Sequence, residues 1–376
     1  TTMQISTKKE NLASPLSLVA GAADLRGTVP MLGMVLLKAT EAGQLSMLCS
    51  DSGLLARTLT PVNVKRGGEI AVDVARLRDL VRAFPDKQDI ELNVEDSGTL
   101  LVKAGRSRFR LPTRAAADYP RMIPGPADRV AVTMSAKRLA EMLADVSPSM
   151  ADNDTRVFLN GALLALEQGG LWAVSTDGYR MTVSHESIAG LDSVTPRQII
   201  LPRKTVLLAR KLLAQGGNVT LTLSEKDAQF TFGDNSVLLA NAIDAKYPGW
   251  RGVLPATTEQ VVVSSTRMMD ALAMLAAAND AAPDKPTVKV HVVDLTFTQS
   301  MTTLRRGESG LCEVESTSTT DAPFSLAFNL GYLTDAVNLH GDCDELRIGY
   351  APNVGSIAVR PKDKEYPMSV VMRYRA

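Results

Sequence analysis

The chain has 376 residues, 45% hydrophobic and 22% charged, with 41 basic and 41 acidic groups. That length exceeds one hydrophobic core and predicts two or three domains, while no run of about 18 apolar residues is present to span a membrane. Three scattered cysteines, Cys49, Cys312 and Cys343, match neither a disulfide framework nor a zinc spacing, which favours a reducing, cytoplasmic setting. The opening TTMQIST shows no basic-then-apolar leader, so no secretory signal is expected.

Along the chain, Leu12, Leu16 and Val19 recur at i, i+4, i+7 and predict a first amphipathic helix. Leu77, Leu80, Val81 and Phe84 predict a second. The alternating run at 89–94 then reads as a half-buried antiparallel strand, and Tyr119-Pro120 closes the block. The order then repeats. Leu139, Met142, Leu143 and Val146 follow a capping Ser135. Pro202 sits where a helix can begin, ahead of Val206 and Leu213, and Gly216-Gly217 ends that helix before a strand at 218–223 and Tyr247-Pro248. A third round runs from Ser264 or Ser265 as cap through Met268, Leu272 and Leu275. It continues through Leu330, Leu333 and Val337 to a stop at Gly341, a strand at 345–350 and Tyr366-Pro367.

First helices lie 127 and 129 residues apart and second helices 129 and 127. The chain therefore reads as α+β, three tandem copies of a two-helix plus antiparallel-sheet domain spanning 1–127, 128–256 and 257–376. Units this long exceed the usual solenoid periods, so a curved arc of whole domains is expected.

Catalytic signatures are absent. There is no Gly-Lys dipeptide for a phosphate loop, no Gly-x-Gly-x-x-Gly, no His-Glu-x-x-His and no Cys-x-x-Cys. His185, His291 and His340 fall at unrelated points of different copies, and Asp152-Asn153-Asp154 lacks the Gly and Glu of a calcium loop. Neither a cofactor nor a metal is implied. A metal-dependent nuclease, the reading from a different class, would need clustered carboxylates that the sequence does not offer.

The helices carry the notable charge: Arg76, Arg78 and Arg82, then Lys137, Arg138, Arg203, Lys204, Arg210 and Lys211, then Arg267, with Arg26 just after the first helix. Such residues are commonly solvated helix faces. Symmetric placement in three copies would instead gather them on one surface, suited to the phosphates of duplex DNA without base readout. The last copy is the acidic one, with 11 basic against 15 acidic residues in 257–376.

Gly105-Arg-Ser-Arg-Phe-Arg-Leu111 followed by Ala117-Asp-Tyr-Pro120 resembles the first-domain signature of the bacterial DNA polymerase III beta subunits, the sliding clamps. Phe158-Leu-Asn-Gly161, Ser175-Thr-Asp-Gly-Tyr-Arg-Met181, Leu201-Pro-Arg-Lys204 and the tail Val370-Val-Met372 extend the resemblance over the whole chain.

It implies half of a ring: a head-to-tail homodimer closed around double-stranded DNA, non-catalytic, tethering the polymerase. The clamp loader, other polymerases and repair proteins would dock through short peptides, with no membrane involved. Carried over by position, the peptide pocket comprises Leu159, Thr176, Gly178, Tyr179, Arg180, Met181, Pro248, Val253, Val354, Ser356, Val370, Val371 and Met372. The DNA-contacting set is Arg26, Arg76, Arg78, Lys137, Asn153, Arg203, Lys204 and Arg267, and the dimer contact pairs Phe109 and Leu111 with Leu275, Ala276 and Ala277.

Several positions depart from the family pattern: Arg373 and Tyr374 at the tail, Gly252 beside Arg251, the small residues after Leu275, and the stretch Asn279 to Pro286. A plasmid- or phage-borne paralogue with altered partners is the alternative within the family.

Overall fold

The computed structural model describes residues 3–120, 122, 128–167, 169–191, 195–278, 291–308, 310–320 and 322–375. Among them are six α-helices: α1 (Lys9–Val19), α2 (Val74–Ala83), α3 (Ala136–Val146), α4 (Arg203–Leu213), α5 (Ser265–Ala277) and α6 (Leu330–Asn338). Each repeats the apolar stripe read from sequence. Leu139, Met142, Leu143 and Val146 of α3 are fully buried, each stabilising by roughly 2 kcal/mol relative to exposure.

Caps follow local chemistry. Asp73 accepts from the Arg76 amide at 2.8 Å, Ser264 from that of Arg267, and Asn329 from those of Gly331 and Tyr332. Ser264, not Ser265, is therefore the α5 cap. Pro15 lies inside α1 and cannot donate to the Asn11 carbonyl; Thr60 Oγ1 donates to it instead, at 3.0 Å. After α4, Gly216 and Gly217 both take positive φ, whereas Gly341 does not: α6 ends through ordinary backbone, with the Gly341 amide on the Asn338 carbonyl.

The chain forms two compact units, Thr1–Glu141 with Arg197–Ile243, and Met142–Pro196 with Asp244–Ala376. They do not coincide with the three copies, because sheet pairing crosses the copy boundaries. In the first unit, Val237–Asn241 of the second copy pairs antiparallel with Leu54–Pro61 of the first. One 13-stranded sheet then runs from Val130–Ser135 through these strands to Asn63–Arg66. In the second unit, Met368–Met372 of the third copy pairs with Arg180–Ser187 of the second. The predicted strands at 89–94, 218–223 and 345–350 form with those bounds. The third-copy core is Met268, Leu272, Phe297, Phe328, Leu333 and Tyr350 with their neighbours.

Candidate peptide pocket and nucleic-acid surface

The second unit contains every residue of the expected pocket. Antiparallel register sets Arg180 opposite Val371 and Met181 opposite Val370, and on the other side of the tail strand Ser356 opposite Met372. The turn entering this sheet is built by Asp177, whose Oδ1 accepts from the Tyr179 and Arg180 amides, both at 3.0 Å. Thr176 Oγ1 accepts from the Gly178 amide at 3.1 Å and donates to the Arg180 carbonyl at 2.6 Å.

Gly178 has φ +93°, and a Cβ there would lie 3.1 Å from the Arg156 guanidinium, so the position needs a glycine. Arg156 in turn pairs with Asp154 and, through side-chain and backbone hydrogen bonds, holds that carboxyl down at about 2. The turn presents Tyr179 to solvent, 63% exposed, and its carbonyl accepts from the Met372 amide at 3.0 Å.

Arg180 joins the parts. Its Nε donates to Asp177 at 2.9 Å, its Nη1 to Asp335 and its Nη2 to the Pro148 carbonyl. The guanidinium carbon lies 4.4 Å from the Tyr332 ring centroid, and Tyr332 stacks on Tyr179 at 6.4 Å. Each nitrogen of Arg180 thus has a partner within the unit. Burial, reinforced by Asp177, pushes the Tyr332 hydroxyl above its usual range and keeps it a neutral donor. A small cleft beside this arginine is lined by Met181, Tyr332, Asp335, Leu339 and Val370.

Pro248 and Val253 follow Tyr247, whose ring meets Phe158 edge-on at 6.4 Å, and Phe158 precedes Leu159. Leu159, Thr176, Met181, Ser356, Val370 and Val371 are buried and Arg180 and Val354 half-buried. Gly178, Tyr179, Pro248, Val253 and Met372 are exposed. Tyr332, Asp335 and Pro148 were not legible in the sequence: Tyr332 and Asp335 lie off the α6 apolar stripe, and only folding brings them to Arg180.

The basic residues divide unevenly. The first unit holds Arg26, Arg76, Arg78, Lys137, Arg203 and Lys204; Arg26, Arg76, Lys137 and Lys204 are exposed. Arg78 pairs with Asp79, and Lys204 with Asp51 and the Ala23 carbonyl. Arg82 and Lys211 are also exposed on α2 and α4. The second unit adds exposed Asn153, at φ +58°, and Arg267, while α6 carries no basic residue.

Among the described residues, each unit also has a stretch of strand that is paired on one side alone. Along 107–112, the strand Ser107–Ala115 pairs only with Thr99–Ala104, and Phe109 stands 41% exposed against Phe84. Half-buried Leu111 lies on the same stretch. Among the described residues, Gly310–Ser318 pairs along 310–315 only with Met301–Arg306. Ala276 and Ala277 are exposed nearby on α5.

Leu275 corrects the sequence reading. It is 1% exposed, lies against Gly310 and belongs to the core, because it continues the Met268, Leu272 stripe. The large exposed apolar residues of this region are Met274 and Leu311, at 59% and 53%; Met274 falls off the stripe, which is the signal that marks it. The Asn279 to Pro286 stretch lies outside the described residues. Among the described residues, no group of three or more His, Cys, Asp or Glu could hold a metal, and no helix is long and apolar enough to cross a membrane.

Residues 3–123 match the family description "DNA polymerase III beta subunit, N-terminal domain", and residues 133–249 match "DNA polymerase III beta subunit, central domain". The beta sliding clamp of Pseudomonas aeruginosa is 30% identical over 383 residues, covering 99% of this chain and 100% of the relative. That of Vibrio cholerae is 30% identical over 375 residues, with the same coverage. The crystal structure of the DNA polymerase III subunit beta from Pseudomonas aeruginosa superposes with a TM-score of 0.88 at 28% identity, covering 100% of both chains. A griselimycin-bound sliding clamp from the same organism gives 0.89 at 29%, also over 100% of both. The chain belongs to the DNA polymerase III beta subunit family, has its three-copy α+β clamp fold, and is a non-catalytic DNA sliding clamp of replication.

Proposed function

We propose that two copies close head to tail into a ring around duplex DNA, each copy supplying three domains, 1–127, 128–256 and 257–376, as half of it. The carrying observation is the pair of free strand edges. Arg108 precedes Phe109 on one, with Arg106 in the turn before it, and Glu313 and Glu315 follow Leu311 on the other, with Glu308 in the turn before it. Opposite charges on two unpaired edges suit continuous antiparallel pairing between copies, and an edge left open is otherwise an aggregation hazard. Phe109 and Leu111 meet Leu311, Met274, Ala276 and Ala277 across that contact. Sedimentation should show a dimer at micromolar concentration, weakened by Arg108→Glu; a monomer alone would refute ring closure.

DNA is held through the phosphates by Arg26, Arg76, Arg78, Lys137, Asn153, Arg203, Lys204 and Arg267, so affinity falls steeply with salt. With a clamp loader, the protein should be retained on circular DNA and lost from linear DNA; equal retention on both sinks the sliding reading.

The thirteen pocket residues take short peptides from polymerase, loader and repair proteins. Griselimycin, bound by two related clamps, serves as a probe. Tyr179→Ala and Met372→Ala, both at exposed positions, should each weaken its binding at least tenfold, and unchanged affinity in both removes the assignment. The three free cysteines suit a reducing cytoplasm.

A further inference from the structure

The pocket's exposed wall at Pro248 and Val253 is carried by a short turn, Trp250–Val253, which pairs with no strand among the described residues. What fixes it is a cluster on the neighbouring strand Gly170–Thr176. Trp172 lies 5.4 Å from Trp250, ring centre to ring centre, and Trp250 is only 4% exposed. The Arg251 guanidinium sits over both indoles, 5.1 Å from Trp172 and 4.2 Å from Trp250, and pairs with Glu167 on the preceding strand.

The opposite wall converges on the same ring. Tyr366 meets Trp172 edge-on at 5.1 Å, and Tyr366-Pro367 leads directly into Met368–Met372, which carries Val370, Val371 and Met372. His185, opposite Trp172 in the strand register, stacks on it at 4.0 Å. One indole therefore touches the roots of two pocket walls that are more than a hundred residues apart in sequence.

We propose that Trp172, Arg251 and Glu167 form a clasp that positions the Pro248–Val253 wall against the tail strand and so sets pocket affinity without touching the ligand. This rests on the peptide-pocket reading above. The physical case is one of restraint. A turn without sheet partners holds its place only through side chains, and an Arg flanked by two indoles and a carboxylate is fixed in position and direction at once. Loosening the clasp lets the wall sample positions in which Pro248 and Val253 no longer meet a ligand, which lowers apparent affinity in proportion to the competent fraction. Arg251, adjacent to Gly252, is thereby turned onto the indoles.

The chain's two tryptophans are one in the clasp and one in the turn it holds, so its state is readable by fluorescence. Griselimycin should shift or quench the emission of the full-length wild-type protein. Arg251→Ala and Glu167→Gln should each weaken griselimycin binding at least fivefold while the thermal midpoint moves little, and Arg251→Lys should restore only part of the affinity. A purely structural role would lower the thermal midpoint and leave the dissociation constant unchanged, which overturns the proposal, as does unchanged affinity in both variants. If Tyr179→Ala and Met372→Ala also leave affinity untouched, the pocket reading has failed; if they abolish binding while the clasp variants do not weaken it, only the clasp has.

Discussion

The turns at Ser50–Leu55 and Thr176–Met181 occupy equivalent points of the first and second copies and share one backbone design. Asp51 Oδ1 accepts from the Gly53 and Leu54 amides as Asp177 Oδ1 does from those of Tyr179 and Arg180. The residue after each aspartate takes positive φ, Ser52 at 74° and Gly178 at 93°. Each following strand pairs with a strand from the next copy. The difference lies in the side chains. Asp51 gives its second oxygen to Lys204 of α4, beside a turn of Gly and Leu. Asp177 gives its own to Arg180, beside an exposed Tyr179. The same scaffold is tied down by a lysine in one copy and presents an exposed tyrosine in the other, so the turn is a requirement of the fold and the exposed side chain an addition to it.

The copies also differ at one buried position that should respond to acid. By repeat spacing, Phe84, Leu213 and His340 occupy one position after or at the end of the second helix, and all three are buried. Burial lowers the His340 pKa to about 4, although its Nε2 meets the Val359 carbonyl. Below the ordinary histidine value the unfolded chain therefore binds more protons than the folded one, and stability falls as pH drops from about 6.5 to 4. The loss should approach roughly 3 kcal/mol. It should be absent in His340→Leu, read by tryptophan fluorescence during urea unfolding at several pH values, since both indoles lie in the same unit as His340. A pH profile identical to wild type would show that the histidine is not the group that titrates.

Next in size, Asp51→Ala and Asp177→Ala should each destabilise by about 2 kcal/mol, because each leaves two amides without their carboxylate acceptor. Only Asp177→Ala should also weaken griselimycin binding, by tenfold or more; equal effects of the two on binding would erase the distinction between the turns. Gly178→Ala should cost about 1–2 kcal/mol, since a Cβ is disfavoured at that φ and meets Arg156. Smallest of all, Ser52→Gly should change stability by less than about 0.5 kcal/mol, the relief of a left-handed serine offset by added chain entropy. A gain or loss well beyond that, measured by denaturant midpoint, would mean that the Ser52 side chain has a role of its own. Val370 and Val371 need a different approach: their strand has partners on both sides, so truncation at 370 removes an internal strand and tests folding rather than the pocket.

Much of this was legible in the sequence. Period-two alternation placed the strands at 89–94, 218–223 and 345–350, and the helical stripes identified which residues are buried, because both patterns record a face turned away from water. Leu275 was set at a surface contact by its position in the family pattern, although its own stripe already placed it in the core, where it is 1% exposed.

By itself, the sequence determined the repeat, the helices and strands and the family, since each depends on residues close in the chain or on short motifs. Only the tertiary structure decided which strand of one copy completes the sheet of the next, why Arg180 needs Asp335 and Tyr332, and why Trp172 meets both Trp250 and Tyr366. Those contacts join residues 78 to 194 positions apart. No local pattern encodes them, because they arise when buried strand edges and apolar rings find partners that remove them from water.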